Sequence, residues 1–336
     1  MTEVRILFVG DVAPIIRPEV DDQSYRPVAY GMDGDLGRLL DSGLAIGNLE
    51  TSITDSREYE SGKPVVYRMA CPTRKGAPGI IEHFDYLSLA NNHCLDYKAV
   101  GLRDTRRCLD DLGIAHSGAG RHLIEASRFV LLDRGHLRIA LFSATDHPEH
   151  WEAGPDLPGV LLIRQDEEGL KSVDRILDGI RRAGGADLVI FSYHYGSNYQ
   201  KDIDGYRGFF YRLLELGVDV IHGHSAHHIN LVEFFPGKHN RFKKNCLIIY
   251  ANGDFIDDYG FAVERDAEYL IHLGFVLELT ITPGEGWAIK VHPTEINYEM
   301  EPSGHYYGDV KKATVRLVRD PFSDRIVRRI VRHGWR

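Results

Sequence analysis

The run VRILFV at residues 4–9, apolar at every position but Arg5, has the pattern of a strand buried on both faces, and it stops at Gly10-Asp11-Val12. The same sequence of buried strand, polar turn and amphipathic helix recurs along the chain. A capped helix is predicted over 34–43, returning to a short strand at 44–47 that delivers Asn48-Leu49-Glu50-Thr51. Residues 84–90 read as a strand ending in Asn91-Asn92-His93, followed by a helix that stops at Gly113. Strands are expected at 129–133 and 137–144, with a hairpin-like turn at Arg134-Gly135-His136. A helix over 172–184 precedes a buried strand at 186–193 that ends in His194-Tyr195-Gly196. A helix over 209–217 then precedes a strand at 218–223 ending in His222-Gly223-His224, and residues 247–255 read as one further strand carrying Gly253-Asp254 at its end.

Beyond residue 262 the pattern changes to long alternating stretches at 272–282, 287–300 and 314–318, which suit antiparallel strands. Residues 54–79 and 146–166, rich in charge, Gly and Pro, read as insertions over the surface, the second with a short strand at 159–163. The expected organisation is an α/β domain over 1–262 and a β-rich extension over 263–336 packed on the same domain. The terminal RIVRRIVRHGWR reads as a strand or helix with solvated arginines. No repeat of solenoid length is present.

At 336 residues, with 43% hydrophobic and 26% charged, the chain can bury a core without disulfides or metals and is too apolar for global disorder. Forty Lys and Arg against 49 Asp and Glu give a formal charge of -9, which argues against a nucleic-acid partner but leaves room for a local basic pocket. Arg57, Lys63 and Arg68 are candidates to meet an anionic substrate, although solvated surface is the better reading. Cys71, Cys94, Cys108 and Cys246 form no CxxC pair and read as free structural thiols of a reducing compartment. No run approaches the roughly 18 apolar residues of a membrane span, so the expectation is a cytoplasmic chain with no membrane anchor.

Asp11, Asn48, Glu50, Asn92, His93, His194, His224, His227 and Asp254 all stand at or just after the carboxyl end of an apolar strand. In a mostly parallel sheet those ends share one edge, so residues far apart in sequence are expected to converge. Carboxylate, amide oxygen and imidazole together suit Mn, Fe or Zn rather than Ca. Two ions bridged by a carboxylate would clamp an electrophile and supply hydroxide at neutral pH. Each residue alone also has a structural reading: Asp11 as a helix cap, Glu50 as a surface carboxylate, Asn92 as a turn residue, and the histidines at 222, 224, 227 and 228 as partly compositional. It is the repetition at successive strand ends that favours a site.

The segments GDV (10–12), GNLET (47–51), LANNHCLDY (89–97), FSYHYG (191–196), HGHSAHHI (222–229) and YANGDF (250–255) resemble the capsule and poly-γ-glutamate synthesis proteins, a branch of the calcineurin-like metallophosphoesterases. The resemblance covers about residues 4–256 in order. It implies an α/β fold of two packed mixed sheets flanked by helices, with a dinuclear site at the strand ends. By that resemblance Asp11 would ligate the first metal with His227 completing it, Asn92, His194 and His224 would ligate the second, and His93 would contact substrate or protonate the leaving group. The pattern departs from the superfamily in three places. Ala13 stands where the first motif has a His, Asn48 follows Gly47 where a bridging Asp is usual, and the last motif is stretched to GHSAH. Glu50 is the nearest carboxylate to act as the bridge, and Asn48, His222 and Asp254 are additional candidates.

The implied function is a metal-dependent hydrolase with one or two divalent ions, using Asp11 and His93 on a small phosphoester or a γ-glutamyl-like amide. The rival is a non-catalytic or regulatory protein of capsule or poly-γ-glutamate metabolism that keeps the fold. A redox protein using Fe and Cys94 is the weakest reading, because Cys94 has no cysteine near it in sequence. Tyr193, Tyr195, Tyr199 and Tyr206 either line the pocket or pack in the core.

Overall fold

Alternation along the first strand sets the architecture. In Val4–Val12, Ile6 and Phe8 join an apolar cluster with Ile139, Leu141, Leu188, Ile190 and Ile249, whereas Leu7 and Val9 join a different one with Leu36, Leu40, Leu102 and Leu109. Successive side chains of a strand point to opposite faces, so this strand is covered twice and residues 6–9 are apolar without a break. The result is a four-layered sandwich of helices, sheet, sheet and helices. The computed structural model describes residues 3–15, 28–62, 69–71, 78–237, 239–258, 269–300 and 310–318.

The first sheet runs Ala29–Met32, Val310–Leu317, Gly286–Met300, Leu273–Thr282, Val4–Val12, Leu44–Leu49, Tyr86–Ser88 and Ala115–Ser117, and Asp254–Ile256 also pairs with the end of Val4–Val12. Its half from Val4–Val12 to Ala115–Ser117 is parallel, and Leu273–Thr282, Gly286–Met300 and Val310–Leu317 are antiparallel. The second sheet runs Val232–Phe235, Cys246–Ile249, Val220–His224, Leu188–His194, Leu137–Thr145 and Val130–Arg134, parallel in the middle and antiparallel at both edges. The two mixed sheets flanked by helices are those expected.

Helices Gly34–Leu40 and Lys98–Leu112 cover the outer face of the first sheet, and Glu167–Arg182 and Asp204–Leu216 cover that of the second. Local chemistry fixes their ends. The Asp166 side chain accepts from Gly169 N at 2.8 Å, Glu167 and Glu168 occupy the first turn and Arg181 and Arg182 the last, matching the helix dipole at both ends. Lys98–Leu112 stops where Gly113 turns left-handed at φ 72°.

Three expectations need correction. Residues 247–255 are two strands in different sheets, Cys246–Ile249 and Asp254–Ile256, because Gly253 at φ 79° turns the chain across from one layer to the other. The expected strand at 84–90 is confined to Tyr86–Ser88, and that at 159–163 to Gly159–Val160. Arg57 is exposed, whereas Lys63, Arg68 and the terminal basic segment lie outside the described residues. The four cysteines are free thiols, three of them buried. Among the described residues no helix is long and apolar enough to cross a membrane.

Candidate metal centre

Two backbone approaches that only glycine permits build the site end of the sandwich. A Cβ on Gly10 would lie 1.6 Å from the Gly253 carbonyl oxygen, so its absence lets Val4–Val12 meet Asp254–Ile256 and pairs Asp11 with Asp254. On its other side Asp11 pairs with Asn48. In the second sheet a Cβ on Gly223 would lie 2.5 Å from the Tyr250 carbonyl oxygen and 2.7 Å from the Tyr195 ring, and the strand that Gly223 interrupts sets His224 beside His194 in register. The convergence therefore does not come from one sheet edge. The first sheet brings Asp11, Asn48, Glu50 and Asp254, and the second brings His194 and His224.

All six are buried. Asp11, His194 and His224 each bring a ligand atom within 4.8 Å of one another, and so do Asp11, Glu50 and His227. Asp11 is thus common to both groups. Its Oδ1 accepts from Asn48 Nδ2 at 2.7 Å and its Oδ2 from Ser225 N at 3.2 Å, while His224 Nδ1 stands 3.9 Å from Oδ1 and His227 Nδ1 3.7 Å from Oδ2. Glu50 Oε1 faces His194 Nε2 at 3.6 Å and His93 Nε2 at 3.8 Å. His194 and His224 approach Nδ1 to Nδ1 at 3.0 Å, and Asn92 Oδ1 accepts from His194 Nε2 at 3.1 Å. The loop that follows His224 is strained: Ser225 and His227 take φ of 102° and 55°, and that conformation turns the Ser225 N–H to Asp11 and His227 to Asp254, at 2.9 Å.

The electrostatics follow from burial. Desolvation pushes the Asp11 carboxyl up to about 6, with the nearby His227 opposing and Asp254 adding to the shift. Burial, and then the neighbouring imidazoles, hold His194 and His224 well below the ordinary histidine range. His227 goes the other way. Although burial opposes it, Asp254, Glu50 and Asp11 draw its pKa well above the usual value. Three buried carboxylates thus gather around one imidazolium, and Asp254 Oδ2 has no hydrogen-bond partner among the described residues. Such a setting suits a cation, and the mixture of carboxylate and imidazole donors suits a transition metal or zinc.

The remaining candidates divide. His93 Nδ1 donates to Asp96 Oδ2 at 2.7 Å, which leaves Nε2 on the Glu50 side. His222 faces away: its Nε2 donates to the Val9 carbonyl at 2.7 Å, and its Nδ1 lies 3.4 Å from Ser192 Oγ. Tyr193 and Tyr195 stack in the core in a ladder with Phe142 and Phe191, whereas the Tyr199 ring lies 6.0 Å from that of His227. Sequence reasoning passed over Asn91 and Asp96. Asn91 donates to Asn48 Oδ1 and the Leu49 carbonyl and accepts from His93 N; Asp96 orients His93. Both stand inside LANNHCLDY, and the signal was the aspartate three residues after the histidine.

Residues 5–259 match the family described as "Bacterial capsule synthesis protein PGA_cap". A Mycobacterium tuberculosis protein named "Probable polyglutamine synthesis accessory protein" is 36% identical over 218 residues, covering 63% of this chain and 55% of that one. The "Capsule biosynthesis protein CapA" of Bacillus anthracis is 28% identical over 189 residues, covering 55% of this chain and 43% of that one. The chain spans about half the length of the curated relatives it matches. A solved structure of a hypothetical protein from Thermus thermophilus aligns over 86% of this chain and 98% of its own, at 14% identity and a TM-score of 0.47, a likeness too slight to carry an argument. The family match runs from the first strand to beyond Asp254 and takes in every residue of both ligand groups: the chain belongs to the bacterial capsule synthesis protein family PGA_cap.

Proposed function

We propose that the chain is a metal-dependent hydrolase of capsule or poly-γ-glutamate metabolism, acting on a small phosphoester or γ-glutamyl-like amide, with one or two Mn, Fe or Zn ions at the Asp11 centre. The observation that carries this reading is the sharing of Asp11 between two groups of potential ligands, with Glu50 and His227 on one side and His194 and His224 on the other. Divalent cations held there would polarise the scissile group and lower the pKa of a water molecule.

The chain's own residues supply the rest. Asn48 fixes the Asp11 carboxylate from one side and the Ser225 N–H from the other, so the shared ligand is oriented before substrate arrives. Asn92 accepts from His194 Nε2, which directs the His194 Nδ1 lone pair toward the centre. His93, aligned by Asp96, would carry a proton to the leaving group from Nε2.

The test is metal content by mass spectrometry on the full chain purified without an affinity-tag metal. One or two equivalents in the wild type, lost in Asp11→Asn and His194→Ala, support the reading, and metal-dependent turnover of phosphoesters or γ-glutamyl amides completes it. A chain that takes up no Mn, Fe or Zn overturns it.

A further inference from the structure

An open cavity of about 630 Å³ lies against the centre, lined by Asn92, Asp146, His147, Gly196, Ser197 and Asn198. His147 belongs to neither ligand group, yet its ring centroid is 5.4 Å from that of His194. Its backbone is pinned, since Thr145 Oγ1 donates to the His147 carbonyl at 2.6 Å and accepts from its N–H at 3.2 Å. Its ring is aimed as well. Nδ1 bonds Asp146 Oδ1, and Asp146 is held in turn by Gln165 Nε2 at 2.7 Å and Gly196 N at 3.0 Å, both on Oδ2. A carboxylate only accepts, so the proton sits on Nδ1, and in the neutral ring Nε2 carries a lone pair. That atom has no hydrogen-bond partner among the described residues, and the side chain is 31% exposed where it borders the cavity.

We propose that His147 is a substrate-contacting residue whose Nε2 accepts a hydrogen bond from an N–H or O–H of the substrate, with Asp146 as the positioning residue that sets the tautomer. This deepens the hydrolase reading and rests on it for the identity of the ligand as a substrate. The cavity lining holds no lysine or arginine among the described residues, unlike a pocket built to clamp an anion. It therefore selects molecules with a hydrogen-bond donor beside the reacting group and disfavours those that present only acceptors there.

The test uses the full, metal-loaded chain and two matched probes, γ-glutamyl methylamide, which has one amide N–H, and γ-glutamyl dimethylamide, which has none. Long-range 15N spectra of the histidine rings, assigned with His147→Gln, read the tautomer directly. The expected results are a proton on Nδ1 of His147, a shift of its Nε2 resonance on adding the methylamide, and about tenfold tighter binding of the methylamide than of the dimethylamide. Asp146→Asn keeps an oxygen for Gln165 and Gly196 but turns an N–H₂ toward Nδ1. The proton then moves to Nε2 and the tenfold preference disappears, as it does in His147→Ala, while the unfolding temperature of Asp146→Asn stays close to that of the wild type. A proton on Nε2 in the wild type, equal binding of the two amides, or no shift at His147 with either overturns the proposal. Preferential binding without any cleavage keeps this assignment and removes the hydrolase reading; cleavage without preference does the reverse.

Discussion

His194 Nδ1 and His224 Nδ1 face each other at 3.0 Å with both rings buried, a placement set by two parallel strands paired in register. Because burial holds both rings neutral, neither repels a cation.

Stripping the chain with a chelator is expected to lower its unfolding temperature by about 5 °C, the scale for losing a ligand present at about 100 times its Kd. Restoring the metal should reverse the change. His194→Ala and His224→Ala should unfold at the same temperature with and without chelator in differential scanning calorimetry, and sensitivity equal to wild type would show that the metal sits elsewhere.

His222 gives the contrasting case. Its ring joins the two sheets through the Val9 carbonyl and packs against Phe8. His222→Ala should therefore cost about 3 kcal/mol in denaturant unfolding, from a cavity and an orphaned carbonyl together. Metal stoichiometry should be unchanged.

Asn91 makes three hydrogen bonds that tie Asn48, Leu49 and His93 together. Asn91→Ala should destabilise the chain by about 2 kcal/mol and reduce turnover well beyond that of an exposed control substitution, because both the Asp11 partner and the His93 backbone lose their support. Retention of full activity would separate Asn91 from the site.

Glu125, which belongs to neither ligand group, tests the electrostatics of the fold. Burial opposes its charge, yet Arg106 and the Arg121 backbone and side chain outweigh that and hold the carboxylate well below its ordinary range. The unfolded chain then binds the proton more readily, so this contribution is complete above the unfolded carboxyl value of about 4.5 and fades as pH falls below it. Glu125→Gln should lose about 2 kcal/mol at pH 7 and show a flatter decline of stability on the acid side.

The sandwich could be read from the sequence because strands covered on both faces carry unbroken apolar runs, as residues 6–9 and 188–191 do. The boundary between Ile249 and Asp254 could not, since LIIYANGDF has one continuous strand-like composition and only the Gly10–Gly253 approach moves its second half to the other layer. Asp11 is the carboxylate common to both ligand groups, and Glu50, the bridge the sequence suggests, belongs to one of them and faces His194 of the other at 3.6 Å. His147 escaped notice because it stands in a stretch rich in Pro and acidic residues that resembles ordinary surface; its aim toward the cavity depends on Gln165 and Gly196, which are distant in sequence.

The chain passes from the second sheet to the first through residues 250–253, where Asn252 Nδ2 donates to the carbonyls of both Phe8 and Phe275. The imidazole half of the donor set thus rides on one layer and most of the carboxylate half on the other. A slide of one layer over its neighbour would leave each half intact while changing the distance between them, so a cation held by both halves would tie the two layers to one register.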